Sequence, residues 1–336
     1  MKKYQEILAL TASILVIVLI LGAFTALVTP KRHGYGSTWG HYLAEEPDSI
    51  DVLFVGSSLT YCNVIPALFW EKTGLTAYDV TGPALTVPGE YYFLREALKT
   101  QSPSVVFIEI TAALYQRYTG HTDTMLGYIP WGENRLLAVL NEAEPEKIGG
   151  LLFPMLTYHS RWSELEEDDW KVFRHGYEPD LLAGYTYLGV ARSIPEYTVR
   201  TDELDREVMA RNMEYLHRIA GICLEEGIIP VFYESPAAAV MPQEEMDKVR
   251  ADLAAIDGAV VVNFNDFRDE IGAALDYDYY DALHYNTAGA EKFSRFLGEW
   301  FMENLTVQPK ADQDVQLWQS RLEYILGLLE KPMTVK

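Results

Sequence analysis

From Ile7 to Val28 the chain has no charged residue, and no polar face interrupts the run. As a helix these 22 residues reach about 33 Å, enough to cross a hydrocarbon core. The apolar core of a cleavable signal peptide is shorter, about 7–15 residues. The pattern therefore predicts an uncleaved membrane anchor over residues 1–30. Residues 31–49 turn polar, contain glycine and read as a linker. The period then changes. Continuously apolar, β-branched runs bounded by turn residues occur at Val52–Val55, Val105–Ile108, Ile228–Tyr233 and Ala259–Val262, with a weaker one at Ala77–Val80. Such runs predict strands buried on both faces.

Between the runs, apolar positions recur at steps of three and four. Met209, Met213, Leu216, Ala220 and Cys223 mark one helix face in Asp202–Glu226; Phe293, Phe296, Leu297, Trp300 and Phe301 mark another in Asn286–Leu305. Pro88 opens a helix through Leu98, and Asn286 stands where an N-cap would. Strand and helix in alternation over residues 50–305 predict a doubly wound α/β domain on a parallel sheet. Residues 112–200, rich in aromatics, Gly and Pro, break the alternation and read as an insertion over the sheet's C-terminal edge, where α/β sites lie. In the tail 306–336, Trp318, Leu322, Ile325 and Leu329 predict a last amphipathic helix over Gln313–Glu330. Nothing repeats at a fixed period.

The formal charge is −22. Lys2, Lys3, Lys31 and Arg32 make the anchor region basic, so the acid excess falls on the domain. Such a surface repels nucleic acid and anionic headgroups, and it keeps a domain soluble. Basic residues flank the anchor almost equally, so the positive-inside rule barely orients it. The two cysteines, Cys62 and Cys223, have no metal-ligand spacing; Cys223 lies on an apolar helix face, where a buried thiol is expected. No metal, nucleotide or other cofactor signature stands in the chain.

Two short motifs carry chemistry. Gly56-Ser57-Ser58-Leu59 follows the first strand directly. A serine on a tight turn into a helix sits at the sheet edge among backbone N–H groups that can face an oxyanion; it can equally be a plain helix cap. Asp281-Ala282-Leu283-His284 precedes the last helix of the alternation. At this spacing a carboxylate can hold one imidazole nitrogen and leave the other basic, as an activated serine requires. Alone, Asp281 could be a cap and His284 an ordinary satisfied histidine.

In this order the two motifs resemble the first and last blocks of the SGNH (GDSL-type) hydrolase superfamily, over residues 50–302. The G-S-S variant is similar to the membrane-anchored DltD-type proteins of teichoic acid D-alanylation and their relatives in exopolysaccharide acetylation. The resemblance implies a three-layer, flavodoxin-like fold with Ser58 as nucleophile, His284 as general base and Asp281 as its orienter. It aligns Ser58, and not Ser57, with the attacking serine. It puts the oxyanion donors at the Ser58 N–H and at Gly82, in Thr81-Gly82-Pro83 after the second strand. The family's G-x-N-D block is absent: Glu109-Ile110-Thr111 follows the third strand, and Asn265-Asp266 follows the wrong one. One lost oxyanion donor typically costs ~10²–10³ in rate.

Within the insertion, Tyr158-His159-Ser160-Arg161-Trp162 is similar to a stretch in membrane-anchored SGNH-like proteins. His159, Arg161 and Trp162 could bind a sugar or carboxylate, or form a buried Trp beside a salt-bridged Arg. Glu234-Ser235-Pro236, after the fourth strand, could line the same cleft. The resemblance implies a single-pass membrane protein whose domain lies outside the cell, an acyl donor, a glycan or polymer acceptor, and a membrane-bound O-acyltransferase as partner. The expected activity is that of an esterase or acyltransferase. A catalytically weak or inactive glycan-binding or scaffold protein of an acylation complex is the alternative, and the absent G-x-N-D block favours it.

Overall fold

The computed structural model describes residues 2–31, 39–114, 121–201 and 204–336. Arg32 and the linker positions 32–38, positions 115–120 of the insertion and Asp202, the expected start of a helix, lie outside the described residues.

All five expected strands form one parallel sheet. They are β1 (Val52–Gly56), β2 (Ala77–Thr81), β3 (Val105–Glu109), β4 (Ile229–Glu234) and β5 (Val260–Asn263), in the order β2-β1-β3-β4-β5. Every residue of β1, β2 and β3 is buried, as a sheet covered on both faces requires. Alternation along β1 divides the core. Leu53 and Val55 meet the helices Val87–Ala97, Arg206–Glu225 and Gln243–Ala254 through Phe93, Leu216 and Met246. Val52 and Phe54 meet Pro66–Thr73 and Thr287–Asn304 through Phe69, Phe293 and Phe301. The result is three layers, α/β/α. The strand order reverses between β1 and β3, so the C-terminal end of β1 opens at the crevice where ligands of doubly wound sheets bind.

Asn286 caps the last of these helices, its side chain accepting from the N–H groups of Ala288 and Gly289 at 3.0 and 3.1 Å. The C-terminal helix runs over Val315–Leu329 and stacks Trp318 on Trp70. Its inner stripe ends at Leu328, with Leu329 only half-buried. Residues 39–49, read as linker, are packed on the domain. Trp39 and Tyr42 are buried, edge-on to Phe93 and Tyr78, because two large aromatic rings gain more from the core than from water.

The N-terminal helix spans Lys2–Val28. Within Lys3–Val28 an 18-residue stretch has a mean hydropathy of 2.9 and none of it is buried, and among the described residues this is the one helix long and apolar enough to cross a membrane. The insertion is mostly short helices and packs in three places. Around Met125 and Ala183 it reaches the C-terminal edge of β2, where Met125 Sδ would lie 2.7 Å from a Cβ on Gly82 and the Ala183 carbonyl accepts from the Asp79 N–H at 3.0 Å. From Pro154 to His175 it packs on the N-terminal helix. Its last stretch lies on the sheet's C-terminal edge, where the Thr186 N–H donates to the Tyr61 carbonyl and the Arg192 N–H to the Tyr279 carbonyl, each at 2.8 Å.

Candidate active site

The turn after β1 is set by packing. A Cβ on Gly56 would stand 2.2 Å from Thr60 Oγ1 and 2.7 Å from Glu109 Cβ, so only glycine lets the following helix close so tightly on the strand. Thr60 is held in turn by the Tyr233 hydroxyl at 2.8 Å. The chain then enters the short helix Ser58–Tyr61, with Ser57 at the N-cap position. Ser57 is buried and its side chain makes no capping bond. Ser58 is half-exposed at the first helical position, where the backbone N–H has no carbonyl one turn earlier to occupy it.

The loop before Thr287–Asn304 crosses this point. His284 Nε2 lies 2.7 Å from Ser58 Oγ across 226 positions of sequence. Its Nδ1 lies 2.9 and 3.0 Å from the two Asp281 carboxylate oxygens. Asp281 Oδ1 also accepts the N–H groups of Leu283 and His284 at 2.8 and 2.9 Å. Asp281 thus both caps its own turn and holds the imidazole. Burial works to raise its carboxyl, but the hydrogen bond and charge of His284 and the two backbone donors outweigh it and hold the group below its usual value. The His284 side chain is 18% exposed, so the serine–imidazole pair can be reached from solvent.

Gly82 lies beside the Ser58 turn with its N–H engaged, and the expected substrate-binding residues are placed elsewhere. The Gly82 N–H is aimed at the Gly56 carbonyl at 3.4 Å, at the weak end of the hydrogen-bond range. Arg161 forms a two-pronged ion pair with Asp169 at 2.7 and 3.0 Å and donates to the Val28 carbonyl at 3.2 Å. Trp162 is 65% exposed, and exposed His159 contacts only the Leu156 carbonyl at 3.3 Å among its described hydrogen bonds. All three lie on the segment that packs against the N-terminal helix, away from the Ser58 turn, because the insertion folds onto that helix there. Glu234 is buried in an ion pair with Arg250 of the helix Gln243–Ala254. It points to the same face as Phe232, and its charge is spent on that helix. Asn265 ties the loop after β4, accepting from the Ala237 N–H at 3.1 Å.

Asn63 carried no signal in the sequence, and Ser235 and Glu109 were readable only by their places after the fourth and third strands. Asn63, fully buried, accepts the Tyr285 N–H and donates to Ser235 Oγ, which donates to the Leu59 carbonyl at 2.9 Å. Glu109, at the end of β3, accepts from the Thr111 N–H and hydroxyl and from the Ser235 N–H, with Oε2 buried and unpartnered. Burial raises its carboxyl to about 7. Both cysteines are free and buried, Cys223 among the helices that cover Leu53 and Val55, and no bridge joins them. Among the described residues no cluster of His, Cys, Asp or Glu is arranged to hold a metal ion.

No protein-family model matches the chain, and no curated protein matches it in sequence.

Proposed function

We propose that the chain is a membrane-anchored serine esterase or O-acyltransferase of the SGNH type, acting on acyl esters of cell-envelope glycans or polymers from the outer face of the membrane. The observation that carries this reading is the 2.7 Å contact between His284 Nε2 and Ser58 Oγ, with Nδ1 held on the Asp281 carboxylate. A serine hydroxyl needs such a base to attack, and the carboxylate fixes the tautomer that leaves Nε2 free to accept its proton. The strand order and the site's position at the end of β1 support the flavodoxin-like arrangement of that superfamily.

In this mechanism Ser58 Oγ bonds to the acyl carbonyl carbon as its proton passes to Nε2. The oxyanion is met by the Ser58 N–H, with Gly82 as second donor once its long bond to Gly56 opens. The intermediate collapses, the donor's alkoxide leaves with the proton from Nε2, and an acyl-serine remains. Water or an acceptor hydroxyl then gives its proton to Nε2 and attacks the acyl carbon, and Ser58 Oγ leaves with that proton returned from Nε2. Water gives an esterase; a glycan or polymer hydroxyl gives a transferase, handed on beside a membrane-bound acyltransferase.

The occupied Gly82 N–H and the absence of an Asn donor after β3 favour a second reading, a catalytically weak or inactive glycan-binding or scaffold protein of an acylation complex. Labelling of the full-length protein with a fluorophosphonate separates the two: covalent adduct formation abolished by His284→Ala supports the enzyme, and a folded protein that takes no label sinks it. Protease added to wall-stripped cells tests the location, with degradation of the domain expected; full protection would place it in the cytoplasm.

A further inference from the structure

The uncharged run Ile7–Val28 is about as long as a bilayer core is thick. A span that uses all of it carries its last turns at the membrane boundary. Those turns are not bare. Val28 is fully buried, Arg161 grips its carbonyl, and the helix packs against Pro154–Tyr158, His159–Glu164 and Glu167–His175 of the insertion. These segments therefore stand at the depth of the span's end, whatever the domain above them does.

What they present there is apolar. A groove of about 1130 Å³ opens between Leu21, Gly22 and Thr25 of the helix and Phe153, Leu156 and Phe173 of the insertion. Trp131, Phe153, Leu156 and Trp162 are each between 59% and 65% exposed. The chain has 49 acidic residues, yet among the described residues none lines this groove, whereas Lys31 and Arg135 do. Arg135 lies over the Trp131 ring at 5.4 Å and Arg174 over Trp170 at 5.5 Å, each pairing an apolar ring with a cation. The acidic run 164–168 gathers at the start of Glu167–His175, beside the Arg161–Asp169 pair, while Val172 and Phe173, further along that helix, line the groove. Aromatic rings with cationic partners, around a groove lined by no carboxylate among the described residues, match the chemistry of the headgroup–acyl boundary.

We propose that this face of the insertion is a second membrane contact: it seats in the leaflet at the C-terminal end of the anchor, with Trp131, Phe153, Leu156 and Trp162 in the boundary and a lipid acyl chain in the groove. The proposal rests on the anchor reading. It gives the insertion a task distinct from catalysis, fixing the domain's height and tilt so that the Ser58 turn is held at a constant distance from the bilayer.

The distribution of tryptophan allows a direct test. None of the seven tryptophans lies in Lys2–Val28, and Trp39, Trp300 and Trp318 are buried while Trp70 is half-buried in the domain. Full-length protein is reconstituted in phosphatidylcholine vesicles brominated at defined acyl positions. Emission is expected to fall, more with bromine near the headgroup than at the bilayer centre, and the loss is expected to vanish in a Trp131→Phe, Trp162→Phe, Trp170→Phe variant that keeps the face apolar. Emission untouched by brominated lipid but quenched by aqueous acrylamide, in protein that resists carbonate extraction, overturns the second contact while leaving the anchor intact. Release by carbonate would instead remove the anchor, and the proposal with it.

Discussion

Asn63 Oδ1 accepts the Tyr285 N–H at 3.0 Å and so ties the turn behind Ser58 to the residue that follows His284. Its Nδ2 donates to Ser235 Oγ at 2.8 Å, which brings the loop after β4 into the same clasp. Two segments more than 200 positions apart are thereby held in register. The hydroxyl and imidazole meet because their backbones are fixed together, not merely because the side chains reach. Asn63→Ala is expected to slow fluorophosphonate labelling about 10²-fold, the usual cost of a misplacement near 1 Å, with a lowered Tm from the buried groups left unpaired. Asn63→Asp keeps the acceptor for Tyr285 and loses the donor to Ser235, so it should retain more of the rate. Labelling of Asn63→Ala at the wild-type rate would deny the clasp any part in positioning.

Ser58 and Ser57 are neighbours with opposite surroundings. Ser58 faces His284 and is half-exposed; Ser57 is 3% exposed. The fluorophosphonate adduct is expected on Ser58 by peptide mass spectrometry. Ser58→Ala should take no label, and Ser57→Ala should keep labelling within a few-fold of wild type. An adduct on Ser57 would move the nucleophile and break its relation to His284.

The sheet was legible because burial on both faces writes itself as uninterrupted apolar runs, and β2 was the faintest because Asp79 interrupts it. Asp281 and His284 were legible because three residues of spacing already fix a local geometry. Asn63 was not, and Ser235 only as part of the stretch after the fourth strand, since their partners lie far along the chain and an isolated Asn or Ser has no pattern. For His159, Arg161 and Trp162 the clustering was readable, but spacing along a helix says which side chains lie together and nothing of the element they meet, here the N-terminal helix. Glu234 was correctly seen at a strand's C-terminal end. Its direction followed from the period-two alternation that puts it with Phe232, towards Arg250.

Glu109 makes stability depend on pH. Its carboxyl is fully buried and burial raises it to about 7, against an unfolded value of 4.5. The folded state therefore holds a proton that the unfolded chain has lost between these values. Stability from this group is full below pH 4.5 and falls as pH rises towards 7, by at most about 1.4 kcal/mol per unit. Glu109→Gln keeps an acceptor for Thr111 and Ser235 and cannot ionise. Its Tm at pH 8 is expected to exceed that of wild type, and the difference should close towards pH 4.5. Parallel Tm curves for the two proteins across this range would show that Glu109 ionises in the fold at no cost.

Asp281→Asn tests the orientation of the imidazole without dismantling the turn. The asparagine Oδ1 can still accept the Leu283 and His284 N–H groups that Asp281 Oδ1 accepts now, at 2.8 and 2.9 Å. The loop and the position of His284 should therefore survive. The second carboxylate oxygen, 3.0 Å from Nδ1, becomes an NH₂ group. Oδ1, 2.9 Å from Nδ1, is already shared with two backbone N–H groups, so the new NH₂ donor favours the tautomer in which Nδ1 accepts and the ring proton sits on Nε2. Nε2 would then donate to Ser58 Oγ and could no longer take its proton, so the base is lost while the geometry remains. The acylation rate is expected to fall on the order of 10⁴-fold, as in serine hydrolases whose orienting carboxylate is made an amide, with Tm changed by only a few degrees. Nitrogen-15 spectra of the imidazole should report the proton on Nε2 in the variant and on Nδ1 in the wild type. A variant that acylates within tenfold of wild type would mean that Asp281 serves only to cap its turn, and the catalytic assignment would then rest on Ser58 and His284 alone.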